Sequence, residues 1–186
     1  MIAIGITGSI ASGKSTVSQF IARKKYPLFS ADKVVLDLYK NSNFINLLVK
    51  KFKLNKKKKV KDQIKLLIKK NKNNLKKLES TIHPFVRKEM NIFLKKKSKL
   101  LILEIPLLIE SKLNKYFDKV IFVDTQKKLR LKRYLKRNRD KNIYEMINKR
   151  QISSAIKKKV CDITINNNYS LAILKKNVKK FMKIYE

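Results

Sequence analysis

Five short apolar runs, at residues 2–7, 27–30, 100–105, 120–124 and 162–165, alternate along the chain with longer segments whose apolar positions recur at helical spacing. The runs read as strands, and most of the segments between them are too long for hairpins, so the order predicts a parallel sheet with crossover helices. The last helix is the clearest. Ser170 supplies its cap, and Leu171, Leu174, Val178, Phe181 and Met182 follow as a core-facing stripe. Residues 44–97 break the alternation: they carry no strand signal and read as helices joined by Lys/Asn-rich loops such as "NKKKK" and "KKNKNN". We expect a helical insertion there, covering the sheet's carboxyl edge. No internal repeat is present.

The first run, "IAIGIT", passes directly into "GSIASGKST" at residues 8–16. Gly8, four residues, then Gly13, Lys14 and Ser15 is the spacing of a phosphate-binding loop. Glycines let the backbone take positive φ and approach an anion, so that N–H groups converge on phosphate oxygens. Lys14 would reach the outer phosphates of a nucleotide, Ser15 would place its hydroxyl on Mg²⁺, and the helix starting here adds its positive end. The chain has only three glycines, and all of them (Gly5, Gly8, Gly13) fall within its first 13 residues. As an exposed loop residue, Lys14 is expected to add little to stability.

Ligands of open α/β sheets sit beyond the carboxyl ends of the strands. Asp32, Glu104, Glu110 and Asp124 follow the second, third and fourth runs and fall there. Asp32 suits a general base or a ligand to magnesium-bound water, and it equally suits the N-cap of the helix "DKVVLDLY"; the two roles are compatible. Glu104 closes "LLILE" either as an acid near Mg²⁺ or as a strand-end carboxylate facing solvent. His83, the only histidine, precedes Pro84, and a lone histidine is usually structural.

At 186 residues and 44% hydrophobic content the chain suits one globular domain. A formal charge of +35 invites nucleic acid as a partner. The charge is, however, spread over the whole chain as lysine, with many Asn and Ile beside it. Lys, Asn and Ile share A/T-rich codons, and a nucleic-acid surface would be a patch and not a coat. Arginine behaves differently. Of seven arginines, Arg130, Arg133, Arg137, Arg139 and Arg150 lie within 21 residues. Arginine's planar fork matches phosphate oxygens as lysine cannot, so this cluster reads as a phosphate-covering lid or, failing that, as a solvated helix face. The single Cys161 excludes an intramolecular disulfide and fits a reducing compartment. The N-terminus has no basic region ahead of its apolar run, and no apolar stretch approaches the ~20 residues of a membrane span. A soluble cytoplasmic protein is the expectation.

In order and spacing, "IGITGSIASGKST", "FSAD", "STIHPFVRKEM", "LEIPLLIES", "VIFVDT" with the Arg-rich helix after it, and "CDITINN" resemble the dephospho-coenzyme A kinases over essentially the whole chain. The phosphate loop is shared with nucleoside and nucleoside monophosphate kinases, whose acceptor is a nucleoside or its monophosphate. His83-Pro84 with Arg87, "PLLIE", and Gln151 eleven residues before Asp162 are more specific to the resemblance. It implies one kinase domain over residues 1–186, with a five-stranded parallel sheet, flanking helices, an acceptor-binding insertion at about 44–97 and a lid at about 130–150. It implies ATP and Mg²⁺ as cofactors and transfer of the γ-phosphate to the ribose 3′-hydroxyl of dephospho-coenzyme A, the last step of coenzyme A synthesis. Gly8, Ala11, Ser12, Gly13, Lys14, Ser15 and Thr16 would hold the ATP phosphates, with Ser15 on the metal and Lys14 and Asp32 catalytic. Arg133 and Arg137 would cover the phosphates, while Asp32, His83, Arg87, Leu107 and Leu108 would meet the acceptor. The implied partners are small molecules, with no specific nucleic acid, no membrane, and a monomer or weak homo-oligomer. The chain departs from the family where Ser9 and Ala11 replace usual glycines, where Ser30 replaces the first acid of an Asp-Ala-Asp, and where Lys157 stands for a frequent arginine.

Overall fold

The computed structural model describes residues 1–71, 73–137 and 140–185. Strand β1 (Ile2–Gly8) is central, between β3 (Leu100–Glu104) and β4 (Lys119–Asp124); β2 (Leu28–Ser30) and β5 (Ile163–Asn166) are the edges, and every pairing is parallel. Each apolar run of the sequence is thus a strand, with bounds shifted by a residue or two. β1, β3 and β4 are buried along nearly their whole length, which is why they read as unbroken apolar runs with no alternation.

The chain forms two compact units, Met1–Ser30 with Lys96–Glu186, and Ala31–Lys95. In the first, Ile4, Ile6, Ile102, Ile121 and Val123 of the sheet pack with Val17 and Ile21 of α1 (Lys14–Ala22) and with Leu174, Val178, Phe181 and Met182 of α9 (Leu171–Met182). Burial of each such side chain contributes about 1.5–3 kcal/mol before entropy is counted. Ser170 caps α9 as expected, its Oγ accepting from the Ile173 N–H. Leu171 corrects the expected core stripe: it is 62% exposed, because the first turn of α9 has not yet reached the sheet. Helices α6 (Lys127–Leu135), α7 (Lys141–Arg150) and α8 (Ser154–Val160) complete this unit.

The strand register levels the carboxyl ends. Ile6 stands beside Glu104, Ser30 beside Glu104, Gly8 beside Val123, and Asp124 beside Asn166. The loops that leave β1, β3, β4 and β5 therefore start from one edge of the sheet.

The second unit holds α2 (Ala31–Leu38), α3 (Ser42–Phe52), α4 (Val60–Lys70) and α5 (Asn73–Leu94). Phe44, Leu48, Phe52, Val60, Ile64, Leu78 and Ile82 form its core, and the Phe44 ring meets Tyr39 and Phe85 edge-on. Asn41 caps α3 by accepting from the Phe44 N–H at 3.0 Å. The unit is built of helices and begins at Ala31, before residue 44, taking in α2. Among the described residues no helix is long and apolar enough to cross a membrane.

Candidate active site

After β1 the chain turns through residues 9–12 into α1. Gly8 is a position of close approach, since a Cβ there would lie 2.6 Å from Ser12 Oγ and 2.8 Å from the Val123 carbonyl oxygen. Gly13, directly before α1, has φ of 91°, a left-handed conformation that side chains resist. Ala11 also lies in that region, at φ 59°, so one of the two replaced glycines carries backbone strain. Ser9 is not among the positive-φ residues, and its replacement costs nothing of that kind.

Lys14 corrects an expectation. Only 9% exposed, it folds back into the loop, where Nζ donates to the carbonyls of Gly8 at 3.1 Å and Ser9 at 3.2 Å. The ammonium is therefore held inside the curve of the loop, where an anion would enter. Ser15, at the N-terminal end of α1, donates its hydroxyl to Glu104 Oε1 at 2.7 Å, and Ser18 Oγ lies 3.3 Å from Oε2. Glu104 is 4% exposed, so it faces the loop and not solvent. A hydroxyl beside a buried carboxylate is a set of hard oxygen ligands, and it fits Mg²⁺ that shares a nucleotide's phosphates. Among the described residues no cluster of three or more His, Cys, Asp or Glu could hold a metal by itself.

The other two strand-end acids are ion-paired. Asp124 Oδ2 lies 2.7 Å from Lys158 Nζ, and Glu110 Oε1 lies 2.8 Å from Lys157 Nζ. Lys157 is fully buried, and Glu110 also accepts from the Ile152 N–H at 3.1 Å. Removing one partner of a buried pair strands the other charge. Lys157→Met is therefore expected to cost about 3 kcal/mol, which is roughly 6–12 °C in Tm, while Lys157→Arg retains most of the stability. A thermal melt checks this, and a Lys157→Met melt within 2 °C of the parent would show that the pair is not structural. The Cys161 thiol, also buried, is pushed up to about 11 by loss of hydration, so it stays protonated and unreactive at neutral pH.

The arginine cluster divides. Arg130 is buried, with Nε donating to the Thr125 carbonyl at 3.1 Å and Nη1 to Asn148 Oδ1 at 2.8 Å, and so is occupied in joining α6 to its surroundings. Arg133 is half-buried; its Nη2 donates to the Asn167 carbonyl at 3.0 Å, while its Nη1 is buried with no hydrogen-bond partner. Arg137 and Arg150 are exposed, and Arg139 lies outside the described residues.

Of the acceptor candidates, Leu107 is half-buried and Leu108 is fully buried, packed toward Gly5, where a Cβ would come within 2.7 Å of its Cδ1. Leu108 thus offers no open face. Asp32, His83 and Arg87 belong to the helical unit. Asp32 is exposed as the second residue of α2, two places beyond the N-cap position it was thought to suit, and Ser30 directly precedes the helix. His83 and Arg87 are neighbours one turn apart on α5, half-buried and exposed respectively, beside the core positions Leu78, Ile82 and Val86.

Three side chains that sequence reasoning did not assign to the site bind the loop backbone. Thr125 Oγ1 donates to the Ser12 carbonyl at 2.9 Å, Asn167 Nδ2 donates to the same oxygen at 2.8 Å, and Gln151 Oε1 accepts from the Ile10 N–H at 2.8 Å. Thr125 and Asn167 follow β4 and β5 directly, and Gln151 follows α7. Gln151 and the second Asn of "CDITINN" were visible as marks of the family, but nothing in the sequence said what they touch. Asp162 of the same stretch is structural, accepting from the Val120 N–H at 2.7 Å.

Comparison with known proteins points one way. The family profile described as Dephospho-CoA kinase matches residues 2–172. A Fusobacterium nucleatum protein named dephospho-CoA kinase is 36% identical, over 96% of this chain and 95% of its own length. Two solved structures are also similar: a Thermus thermophilus protein at TM-score 0.81 and 26% identity, covering 98% of this chain and 97% of that one, and the dephospho-CoA kinase of Campylobacter jejuni at TM-score 0.67 and 27% identity, covering 99% and 97%.

Proposed function

Since the chain belongs to the dephospho-CoA kinase family, the enzymes of the final step of coenzyme A biosynthesis, we propose that Lys14, Ser15, Glu104, Asp32, Arg133 and Arg137 carry the transfer from ATP to the ribose 3′-hydroxyl of dephospho-coenzyme A. The observation that supports it most is the Lys14 ammonium folded into a glycine-turned loop beside the Ser15–Glu104 pair.

Phosphoryl transfer asks a protein mainly to position groups and stabilise charge. On ATP entry the Lys14 Nζ exchanges its two loop carbonyls for phosphate oxygens, and the N-terminus of α1 supplies further N–H groups and its dipole. Ser15 and Glu104 would hold magnesium, which supplies neutralisation of the phosphate charge. Asp32 orients the acceptor hydroxyl and takes its proton late in the transfer. His83 and Arg87 on α5 bind the acceptor, with Arg87 matched to its phosphates. Arg133 offers the unpartnered half of its fork to the transferring group, and Arg137 comes over it when the segment after β4 closes and excludes water.

Incubation of the chain with Mg-ATP and dephospho-coenzyme A is expected to give coenzyme A, read by mass. Absence of the product, or preferred phosphorylation of a nucleoside or nucleoside monophosphate in competition, would reject the acceptor assignment. The arginine roles have their own test. Arg133→Lys and Arg137→Lys keep charge and lose the fork, so each should lower kcat about tenfold with Tm within 2 °C of the parent. Lysine serving equally well at both positions would reduce the cluster to a solvated face.

A further inference from the structure

The loop that receives the nucleotide is short of glycine but is still a turn between a strand and a helix, and its own hydrogen bonds are few. Within it the Ser12 N–H donates to the Ser9 carbonyl at 3.1 Å, and Lys14 braces two carbonyls. The remaining restraints come from side chains far away in sequence. The Ser12 carbonyl accepts two donors, Thr125 Oγ1 and Asn167 Nδ2, and all three residues are buried. Asn167 is itself fixed at every polar backbone group: its N–H donates to the Asp124 carbonyl at 2.8 Å, and its carbonyl accepts from Arg133. Thr125 is fixed by Arg130 on its carbonyl. On the other side of the turn, Gln151 captures the Ile10 N–H.

We propose that Thr125, Gln151 and Asn167 are positioning residues for the transfer, fixing the peptide units at Ile10 and Ser12 so that the Gly13 N–H is aimed at the nucleotide's phosphates. The argument is geometric. In a trans peptide the C=O and the next N–H point in opposite directions. Drawing the Ser12 oxygen toward the loops after β4 and β5 therefore turns the Gly13 N–H the opposite way, away from those loops. The same contact explains a second demand for glycine: a Cβ at Gly13 would overlap the Asn167 amide nitrogen. Donors fixed before the reaction stabilise developing charge without reorganising, so the cost of losing the tethers falls on nucleotide binding and transfer.

Two donors on one oxygen give a distinctive expectation, because either one alone satisfies the carbonyl. The inference rests on the loop binding ATP, and so ATP binding is measured by calorimetric titration without acceptor, beside kcat and KM for both substrates. Thr125→Val and Asn167→Ala should each weaken ATP binding about fivefold, the double variant should weaken it about a hundredfold, and Thr125→Ser should match the parent. Gln151→Met, placed outside both strand loops, should weaken it about fivefold by itself, while KM for dephospho-coenzyme A stays within twofold in every variant. If the double variant fails to fold, the single variants and Gln151→Met carry the reading. ATP affinity within twofold of the parent in all of them, with only Tm lowered, overturns the inference and leaves the three residues as structural supports. A parent that binds ATP but makes no coenzyme A would reject the acceptor reading instead and leave the tethers open to the same titration.

Discussion

Lys14→Ala is expected to lower the rate of coenzyme A formation by about 10³-fold. A single fixed donor to developing charge is worth roughly 10²–10³ in rate, and a full positive charge in a buried loop stands at the top of that range. Glu104 beneath Ser15 makes the loop's own field partly negative, so without the Lys14 ammonium the phosphates would meet a carboxylate with less to offset it. Lys14 is also buried and braces the Gly8 and Ser9 carbonyls, and alanine removes that brace as well. Lys14→Met separates the two effects by keeping most of the packed stem and losing only the charge. Both variants should fold, with a Tm a few degrees below the parent, and both should lose the rate. If coenzyme A formation by Lys14→Met stays within threefold of the parent, the ammonium takes no part in the transfer.

The strands and the phosphate loop were legible because their signals are local. A short apolar run such as "LLILE", set between longer polar segments, suits a strand buried on both faces, and Gly13 sits at the turn into α1 with a positive φ that glycine takes without strain. The tethers were not legible, because their partners lie far apart: 155 residues separate Asn167 from Ser12, and 141 separate Gln151 from Ile10. Spacing cannot show which backbone atom an amide finds. Side-chain direction within a turn was equally hidden. Lys14 could have pointed outward and instead folds into the loop, while Leu108, which the family resemblance set against the acceptor, is fully buried. The division of the arginine cluster was hidden for a related reason, since residue type predicts affinity for oxygen but not whose oxygen. Arg130 spends its fork on a backbone carbonyl and an asparagine, and Arg133 keeps only half of its fork unbound.

Asp32→Asn is expected to lower the transfer rate by roughly 10²–10⁴-fold, the usual worth of a general base, while ATP binding is unchanged. The structure sharpens what the alternative role predicts. Asp32 is not the N-cap of α2 but its second residue, so its helical contribution is the attraction between a carboxylate and the positive end of the helix. That is worth about 0.3–1 kcal/mol, and asparagine forfeits it without disturbing the fold. A structural role therefore predicts a Tm lower by a degree or two with the rate intact, whereas a catalytic role predicts the same small change in Tm together with the loss of rate. Asp32→Glu extends the test: it keeps the charge at the helix end and moves the carboxylate by one methylene, so a structural residue would tolerate it and a positioned base would not. Ser30, which stands beside Glu104 where the family usually carries a second acid, makes the measurement more telling. With that neighbouring carboxylate absent, no other acid stands in the first turn of α2 to take the proton in its place. Coenzyme A formation by Asp32→Asn at the parental rate would remove Asp32 from the chemistry and leave the transfer to Lys14, the arginines and the oriented loop.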